Sequence, residues 1–374
     1  MNTYIVIGAG ILGASTAYQL ARSGAGVTLI DRMDPGQATD AAAGIICPWL
    51  SQRRNRAWYT LAKAGARYYP ELIEQLRQDG ETDTGYARVG ALSIHTDPEQ
   101  IGRIEERARL RKEEAPEIGE IAALDERETR ERFPLLAEGY RAVRIGGAAR
   151  VDGRALRDAL IRAAVRHGAV LVRGDAELTC EGKRATGALA GGKSYPADAV
   201  IACAGAWAKE LLLPLGIRFN VSFQKAQIMH LELREDPGTG NWPVVIPPSD
   251  QYLLAFGQGR IVIGATHENG VEGYDTRLTA AGMQEVLNKG LEAAPGLADA
   301  AYAEARVGFR PYTPGFLPVI GPVPGWKGLL AANGLGASGL TVGPYLGSQL
   351  ARLALGRGTD IDLKEYDIGS ALEV

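Results

Sequence analysis

Tyr4-Ile5-Val6-Ile7-Gly8-Ala9-Gly10-Ile11-Leu12-Gly13 is the stretch whose reading decides the fold. Its first four residues form a continuous apolar run rich in β-branched side chains, the pattern of a strand buried on both faces. Glycines at 8, 10 and 13 follow, and Ala14 to Ala21 reads as a helix ended by Gly24. A second strand, Val27-Thr28-Leu29-Ile30, ends on Asp31. Each glycine has its own reason: Gly8 permits the tight turn, Gly10 lets backbone N–H groups approach a pyrophosphate, and Gly13 lets the helix sit against the strand. The helix N-terminus offers unpaired N–H groups and a partial positive charge to phosphates. Asp31 is placed to accept hydrogen bonds from an adenosine ribose. The glycine motif is weak evidence alone; with strand, helix, second strand and acid around it, it reads as a dinucleotide site. Arg32 could mark an NADP 2′-phosphate, but an acid directly before it would repel that group. A guanidinium over adenine, or a solvated surface charge, is the plainer reading.

Working outward, the chain has 374 residues, which suggests two domains each able to bury a core. A net charge of −3 argues against a nucleic-acid binder, which would show a clustered basic excess. The 48 glycines are nearly twice the usual ~7% and are not periodic, so they mark turns and close backbone approaches, not a repeat. Cys47, Cys180 and Cys203 make neither a disulfide framework nor a zinc box, and His95, His167, His230 and His267 lack metal-ligand spacing. No apolar run reaches the ~18 residues of a membrane span. The chain opens Met1-Asn2-Thr3 without a basic leader, so a cytoplasmic location is expected.

Residues 34–47 are small and lack an apolar period. They suit either backbone lying flat against a ligand or an ordinary small-residue helix start. Trp58, Leu61, Ala62, Tyr69, Leu72, Ile73 and Leu76 have helical spacing. Between Glu99 and Arg132 more than half the residues carry charges of mixed sign, which reads as solvated helices on a peripheral lobe. Ala155 to His167 reads as a helix and Ala169 to Val172 as a strand. Ala199-Val200-Ile201-Ala202-Cys203-Ala204-Gly205 is another buried strand running into a glycine turn, where open α/β sheets bind ligands. Cys203 reads as a small core hydrophobe.

From about 213 to 305 the texture becomes antiparallel, with strands around Ile228–Leu231, Gln251–Leu254 and Arg260–Gly264 and a helix over Ala280–Ala293. The glycine loop Leu335-Gly336-Ala337-Ser338-Gly339-Leu340-Thr341 then leads into a helix expected over Tyr345–Leu355. A second loop at a helix N-terminus suits the far end of a long cofactor. A flavin ring gains negative charge on reduction, which helix-end N–H groups stabilise, so FAD is favoured over NAD.

On the N-terminal fingerprint with Asp31-Arg32, on Ala41 to Ile45, on Val200 to Trp207, on Gly308 to Gly321 and on the terminal loop, the chain resembles the FAD-dependent D-amino-acid oxidase superfamily, in its branch of glycine oxidase, D-amino-acid dehydrogenase and sarcosine oxidase. The resemblance runs over nearly the whole length. It implies an α/β fold: a Rossmann-like FAD-binding domain over 1–88, 141–212 and 307–374, and a mixed or antiparallel-sheet substrate-binding domain over 89–140 and 213–306. It implies that Gly8, Gly10, Ile11, Leu12, Gly13, Asp31 and Arg32 serve the adenosine and phosphates. Ala38, Thr39, Ala43, Gly44 and Ile45 would run along the ribityl chain and ring, with Ala204 and Gly205 nearby. The strand at Glu177 would touch adenine, and Leu335, Gly336, Ala337, Ser338, Gly339, Leu340 and Thr341 would hold the ring's pyrimidine edge.

Arg310 matches the family's carboxylate-clamping arginine, and Tyr252 a tyrosine lining the same pocket. Leu335 stands where the family often has His, Ala337 where glycine oxidase has Arg, and Pro314-Gly315 where an Asp-Gly pair is usual, so the flavin surroundings should be less polar. No cysteine follows Cys203, so FAD should be non-covalent.

A guanidinium's paired N–H donors match a carboxylate on chemical grounds alone. Arg310, expected in a stiff Gly/Pro turn, competes with Arg306 for that role, and an internal salt bridge is its structural alternative. His267 reads as a structural histidine or as a base assisting amine deprotonation. The implied reaction removes hydride from the α-carbon of a small amino acid or secondary amine to flavin N5, giving an imine that hydrolyses to an oxo-acid. O2 or another electron acceptor would close the cycle, and a homo-oligomer is allowed. Two other readings stay open: the flavin subunit of a hetero-oligomeric dye-linked dehydrogenase, or an NAD-dependent dehydrogenase, which would leave the terminal loop and Arg310 unexplained.

Overall fold

The strand Thr3–Ile7 lies at the heart of a six-stranded sheet because its side chains are apolar on both faces. It pairs in parallel with Gly26–Asp31 on one side and Ala199–Ala202 on the other. The sheet runs in the order 319–322, 329–333, 199–202, 3–7, 26–31, 170–173, with only the first pair antiparallel. This is a computed structural model, and it describes residues 2–373. The register brings Ile7, Ile30 and Ala202 level, so the chain leaves three neighbouring strands at one edge. Gly8, Asp31 and Cys203-Ala204-Gly205 follow there, forming the crevice where parallel sheets take ligands.

The helix Ile11–Arg22 is buried almost all round. Its small residues allow close neighbours: a Cβ on Gly13 would lie 1.8 Å from the Gly8 carbonyl oxygen, and one on Gly347 would lie 2.6 Å from Ser15 Cβ. The second of these belongs to the helix Gly339–Ala354, which begins six residues before the expected Tyr345. Pro344 lies inside it and cannot donate to the Leu340 carbonyl. The Tyr69 hydroxyl donates to that oxygen instead, at 2.5 Å, which lets the helix run through the proline.

An eight-stranded, mostly antiparallel sheet builds the other layer, in the order 301–312, 222–232, 260–264, 252–255, 244–246, 91–95, 141–145, 121–124. One adjacent pair, 244–246 with 91–95, is parallel. Arg310 was expected in a Gly/Pro turn, but it lies within the strand Ala301–Tyr312. That strand is at the sheet edge, where Pro311 removes no ladder bond that matters. The charged stretch forms the helices Pro98–Glu114 and Glu126–Arg132 with a strand, Ile121–Leu124, between them; Ile101, Ile104 and Ala108 are buried, so only part of it is a solvated face. Residues 34–44 form turns and not a helix. Gly36 accepts from the Phe309 N–H at 2.9 Å, and a Cβ on Gly308 would meet Ala41 Cβ at 2.8 Å. The small residues therefore let this segment lie flat between the two sheets. Among the described residues no helix is long and apolar enough to cross a membrane.

Candidate active site

Gly8 takes φ +101°, open to glycine alone without strain, and a Cβ there would sit 2.4 Å from the Cys203 carbonyl oxygen. A Cβ on Gly10 meets only Thr39 Oγ1, at 3.4 Å, so the space above the turn is open. The helix Ile11–Arg22 begins there without a side-chain cap or an acidic residue in its first turn, leaving its positive end unneutralised. Thr39 Oγ1 accepts from Ile11 N–H at 2.9 Å and ties the small-residue segment to the helix start. Asp31 is held by the N–H groups of Ala9 and Met33 and by Gln37 Nε2. Two oxygens accepting three donors still have lone pairs for a ribose.

Two cavities open from this cradle. One, of about 380 Å³, runs from Gly8, Gly10 and Thr39 along Ala41–Ile45 to the terminal loop and on to Tyr252, His267 and Arg310. The other, of about 480 Å³, runs the opposite way past Arg32 to Glu177. Gly8, Asp31, Gln37, Ala204 and Trp207 line both, so the two make one long slot with the phosphate cradle at its middle. That shape fits a dinucleotide with its adenine near Glu177 and its ring near the terminal loop. The adenine end keeps Arg32 beside Asp34 at 2.7 Å and 6.0 Å from the Trp207 ring.

At the ring end, Asn333 Nδ2 donates to the Gly205 carbonyl at 2.9 Å and Asn333 Oδ1 accepts from Gly334, joining the two glycine loops. Thr341 Oγ1 donates to the Ile45 carbonyl at 3.0 Å. The helix Gly339–Ala354 starts with neither a side-chain cap nor a first-turn acid, so its N-terminus is a second positive end in the same slot.

Of the expected cofactor residues, Gly13 and Ser338 lie off the cavity wall. Gly13 packs on Gly8, and Ser338 Oγ accepts from Trp58 Nε1 at 2.9 Å. Arg32 and Glu177 line only the second cavity; the rest lie along the first. Cys203 lines the slot too, its thiol pushed up to about 12 by burial, which suits a core residue.

Arg310, Tyr252 and His267 converge through sheet register. Gln224 lies directly opposite Arg310, Gly264 opposite Tyr252, and the bridge between Lys225 and Glu268 sets His267 beside Gln224. Arg310 Nη1 lies 3.1 Å from both Gln224 Oε1 and His267 Nδ1. Among the described residues it pairs with no carboxylate, which removes the salt-bridge alternative. Arg306 is removed as a clamp: it pairs with Glu304, donates to the Asp40 carbonyl at 3.2 Å, and is absent from the slot wall. Burial pushes the Tyr252 hydroxyl's pKa up, against the pull of Arg310. Burial and then the Arg310 charge hold His267 below its usual value. Gln224, Gln37, Asn333 and Asp250 were not singled out from the sequence. The signal for Gln224 is its cross-strand register, which exists only once the strands are paired.

An open sheet with a two-ended nucleotide slot and a free cation at the ring end defines a dinucleotide-dependent oxidoreductase. The chain belongs to the FAD dependent oxidoreductase (DAO) family, whose sequence profile matches residues 3–353, and FAD is its cofactor. It is 63% identical over 372 residues, covering 100% of both chains, to an uncharacterized oxidoreductase of Bacillus subtilis, YurR. It is 31% identical over 370 residues, 97% of each chain, to a glycine oxidase of Pseudomonas aeruginosa. Among solved structures, iminodiacetate oxidase from Chelativorans sp. BNC1 superposes with a TM-score of 0.93 at 48% identity, over 97% of this chain and 98% of that one. Glycine oxidase from Geobacillus kaustophilus superposes with a TM-score of 0.84 at 25% identity, over 98% and 99% of the two chains. The protein is thus an FAD-dependent enzyme of the class that oxidises amino acids or amines.

Proposed function

We propose that this protein oxidises the carbon–nitrogen bond next to a carboxylate, in glycine, a D-amino acid or an N-substituted glycine such as sarcosine or iminodiacetate. The observation that carries this reading is Arg310: a guanidinium with no carboxylate partner among the described residues, on the wall of the slot that also carries the terminal glycine loop. Its fork takes a substrate carboxylate by two N–H donors. Tyr252, beside the guanidinium, borders the same space and fixes the substrate's orientation. Ala226 and Gly308, facing each other two pairs along the ladder from Gln224 and Arg310 and on the same face of the sheet, leave room for the α-carbon. The apolar walls formed by Ala41–Ile45 and Leu335–Leu340 exclude water. Holding the reacting C–H in place is the enzyme's main task, and such positioning contributes up to ~7–11 kcal/mol.

Bound FAD supplies the two-electron acceptor for a hydride from the α-carbon. It is read as held non-covalently: no cysteine follows Cys203, and Cys203 itself is packed against Gly13 with its thiol pushed up by burial. O2 or another electron acceptor closes the cycle, and the free thiols of Cys47, Cys180 and Cys203 fit a cytoplasmic enzyme. The lobe of the six-stranded sheet carries the cofactor and that of the eight-stranded sheet the substrate; strand 141–145 then belongs to the second lobe.

The test is anaerobic bleaching of the flavin absorption by glycine, D-alanine, sarcosine, iminodiacetate and a fructosyl-amino acid. At least one should bleach it. In Arg310→Ala the flavin spectrum should persist while kcat/KM falls by an amount equivalent to about 2–5 kcal/mol. Unchanged kcat/KM in that variant would remove Arg310 from the site.

A further inference from the structure

Two arginines leave the strand Ala301–Tyr312 four residues apart and are held in opposite ways. Arg306 is gripped by the carboxylate of Glu304, which neutralises it, and it is turned onto the Asp40 backbone. Arg310 is gripped at 3.1 Å by an amide oxygen and at 3.1 Å by an imidazole nitrogen, neither of which carries negative charge. We propose that Gln224 and His267 are positioning residues, a pair of neutral acceptors that aim the Arg310 guanidinium into the slot while leaving its charge free for a substrate carboxylate. This rests on the carboxylate-clamp reading above and assigns it two further specificity-determining side chains.

Gln224 stands directly across from Arg310 in the antiparallel ladder, so their side chains share one face of the sheet. Gln224 Nε2 donates to Asn269 Oδ1 at 2.9 Å, which turns its carbonyl oxygen towards the guanidinium. His267 Nδ1 lies 3.1 Å from that same oxygen too, so a proton on Nδ1 would be donated to Gln224, whereas a bare Nδ1 accepts from Arg310; the second tautomer is the one proposed. Arginine has only donors, so the imidazole can satisfy Arg310 only with a bare Nδ1 and its proton on Nε2. The Asp250 backbone lies beside the imidazole and acts on it in the direction that favours a proton on the ring. The charged groups facing this cluster are Arg310 itself, Asp250 and Lys289, the last two paired at 3.0 Å. Burial and the Arg310 charge both favour the neutral ring, in keeping with an acceptor role. A histidine committed in this way is not available as a base. A carboxylate in the place of Gln224 would hold Arg310 as firmly but would occupy the fork and cancel the charge that the substrate needs.

The experiment uses the FAD-loaded enzyme with its best bleaching substrate, and glycolate as a carboxylate probe that carries no amine. Gln224→Glu should keep its flavin spectrum and raise both KM and the glycolate inhibition constant by about 100-fold, with kcat at saturation little changed. Gln224→Leu and His267→Leu each remove one hydrogen bond to a charged group and should raise KM by about 10-fold. His267→Asn, which can place an oxygen near the Nδ1 position, should recover most of that affinity and keep the wild-type pH profile of kcat. If Gln224→Glu leaves KM and glycolate binding unchanged in an enzyme that turns over, the positioning role is overturned while the proposed function stands. If kcat collapses in His267→Asn and its acid limb disappears, His267 is a base and the inference fails. If the wild type is bleached by no amino acid, the function reading falls and this inference falls with it.

Discussion

His230 lies mid-strand in Ser222–Glu232, 3% exposed, with neither ring nitrogen hydrogen-bonded. Arg306 and Arg260 face it with positive charge, Glu304 and Asp152 with negative. Burial comes first among the causes that lower its value from 6.5 to about 4, and the Arg306 charge comes second. Between those two values the unfolded chain takes up a proton that the folded chain refuses, so stability falls as pH drops through that window. The loss is on the order of 3 kcal/mol, nearly complete at the folded value and absent above the unfolded one. Urea unfolding of the wild type and of His230→Leu at pH 7.5 and pH 4.5 checks this: the variant should lose less stability between the two, and equal losses would refute it.

The helix Gly339–Ala354 is the element on which the ring end of the slot depends, and its first two turns are unusual. Pro344 removes one intrahelical bond, and Tyr69 from the helix Arg56–Gln78 replaces it through the Leu340 carbonyl. The two helices are in close contact, since a Cβ on Gly65 would come within 2.1 Å of the Thr341 carbonyl oxygen. Tyr69→Phe should therefore leave a buried carbonyl unpaired, at a cost of about 1–3 kcal/mol. Because that carbonyl sits in the terminal loop, FAD affinity should fall along with the melting temperature. Fluorescence titration of the apoprotein with FAD measures the first effect; unaltered affinity would separate the loop from the helix pair.

At the scale of the whole molecule, the slot joins residues near both ends of the chain, and on the proposed reading one FAD would bridge them. FAD should then stabilise the fold by mass action, about 2.7 kcal/mol when it exceeds its dissociation constant 100-fold. Gly10→Val fills open space above the phosphate turn and should yield apoprotein whose melting temperature no longer rises with added FAD. Normal flavin content in that variant would refute the cradle.

The sequence alone determined the central strand, the glycine turn, the first helix and Asp31, because these features are local: apolar periodicity, glycine conformation and a helix end act within a few residues of one another. It also singled out the terminal loop and Arg310, and the family resemblance singled out Tyr252; all three lie along one cavity. It misread the setting of Arg310, since Pro311 looks like a turn residue until the strand carrying it is known to lie at a sheet edge. It left Gln224 unmarked and the task of His267 undecided, because Gln224 acquires its meaning from the pairing of strand 222–232 with strand 301–312 across more than eighty positions, and His267 from the bridge that sets it beside Gln224. Which cation is neutralised and which stays free is a matter of neighbours in space. Only the folded sheets settle that Arg306 meets a carboxylate while Arg310 meets an amide and an imidazole.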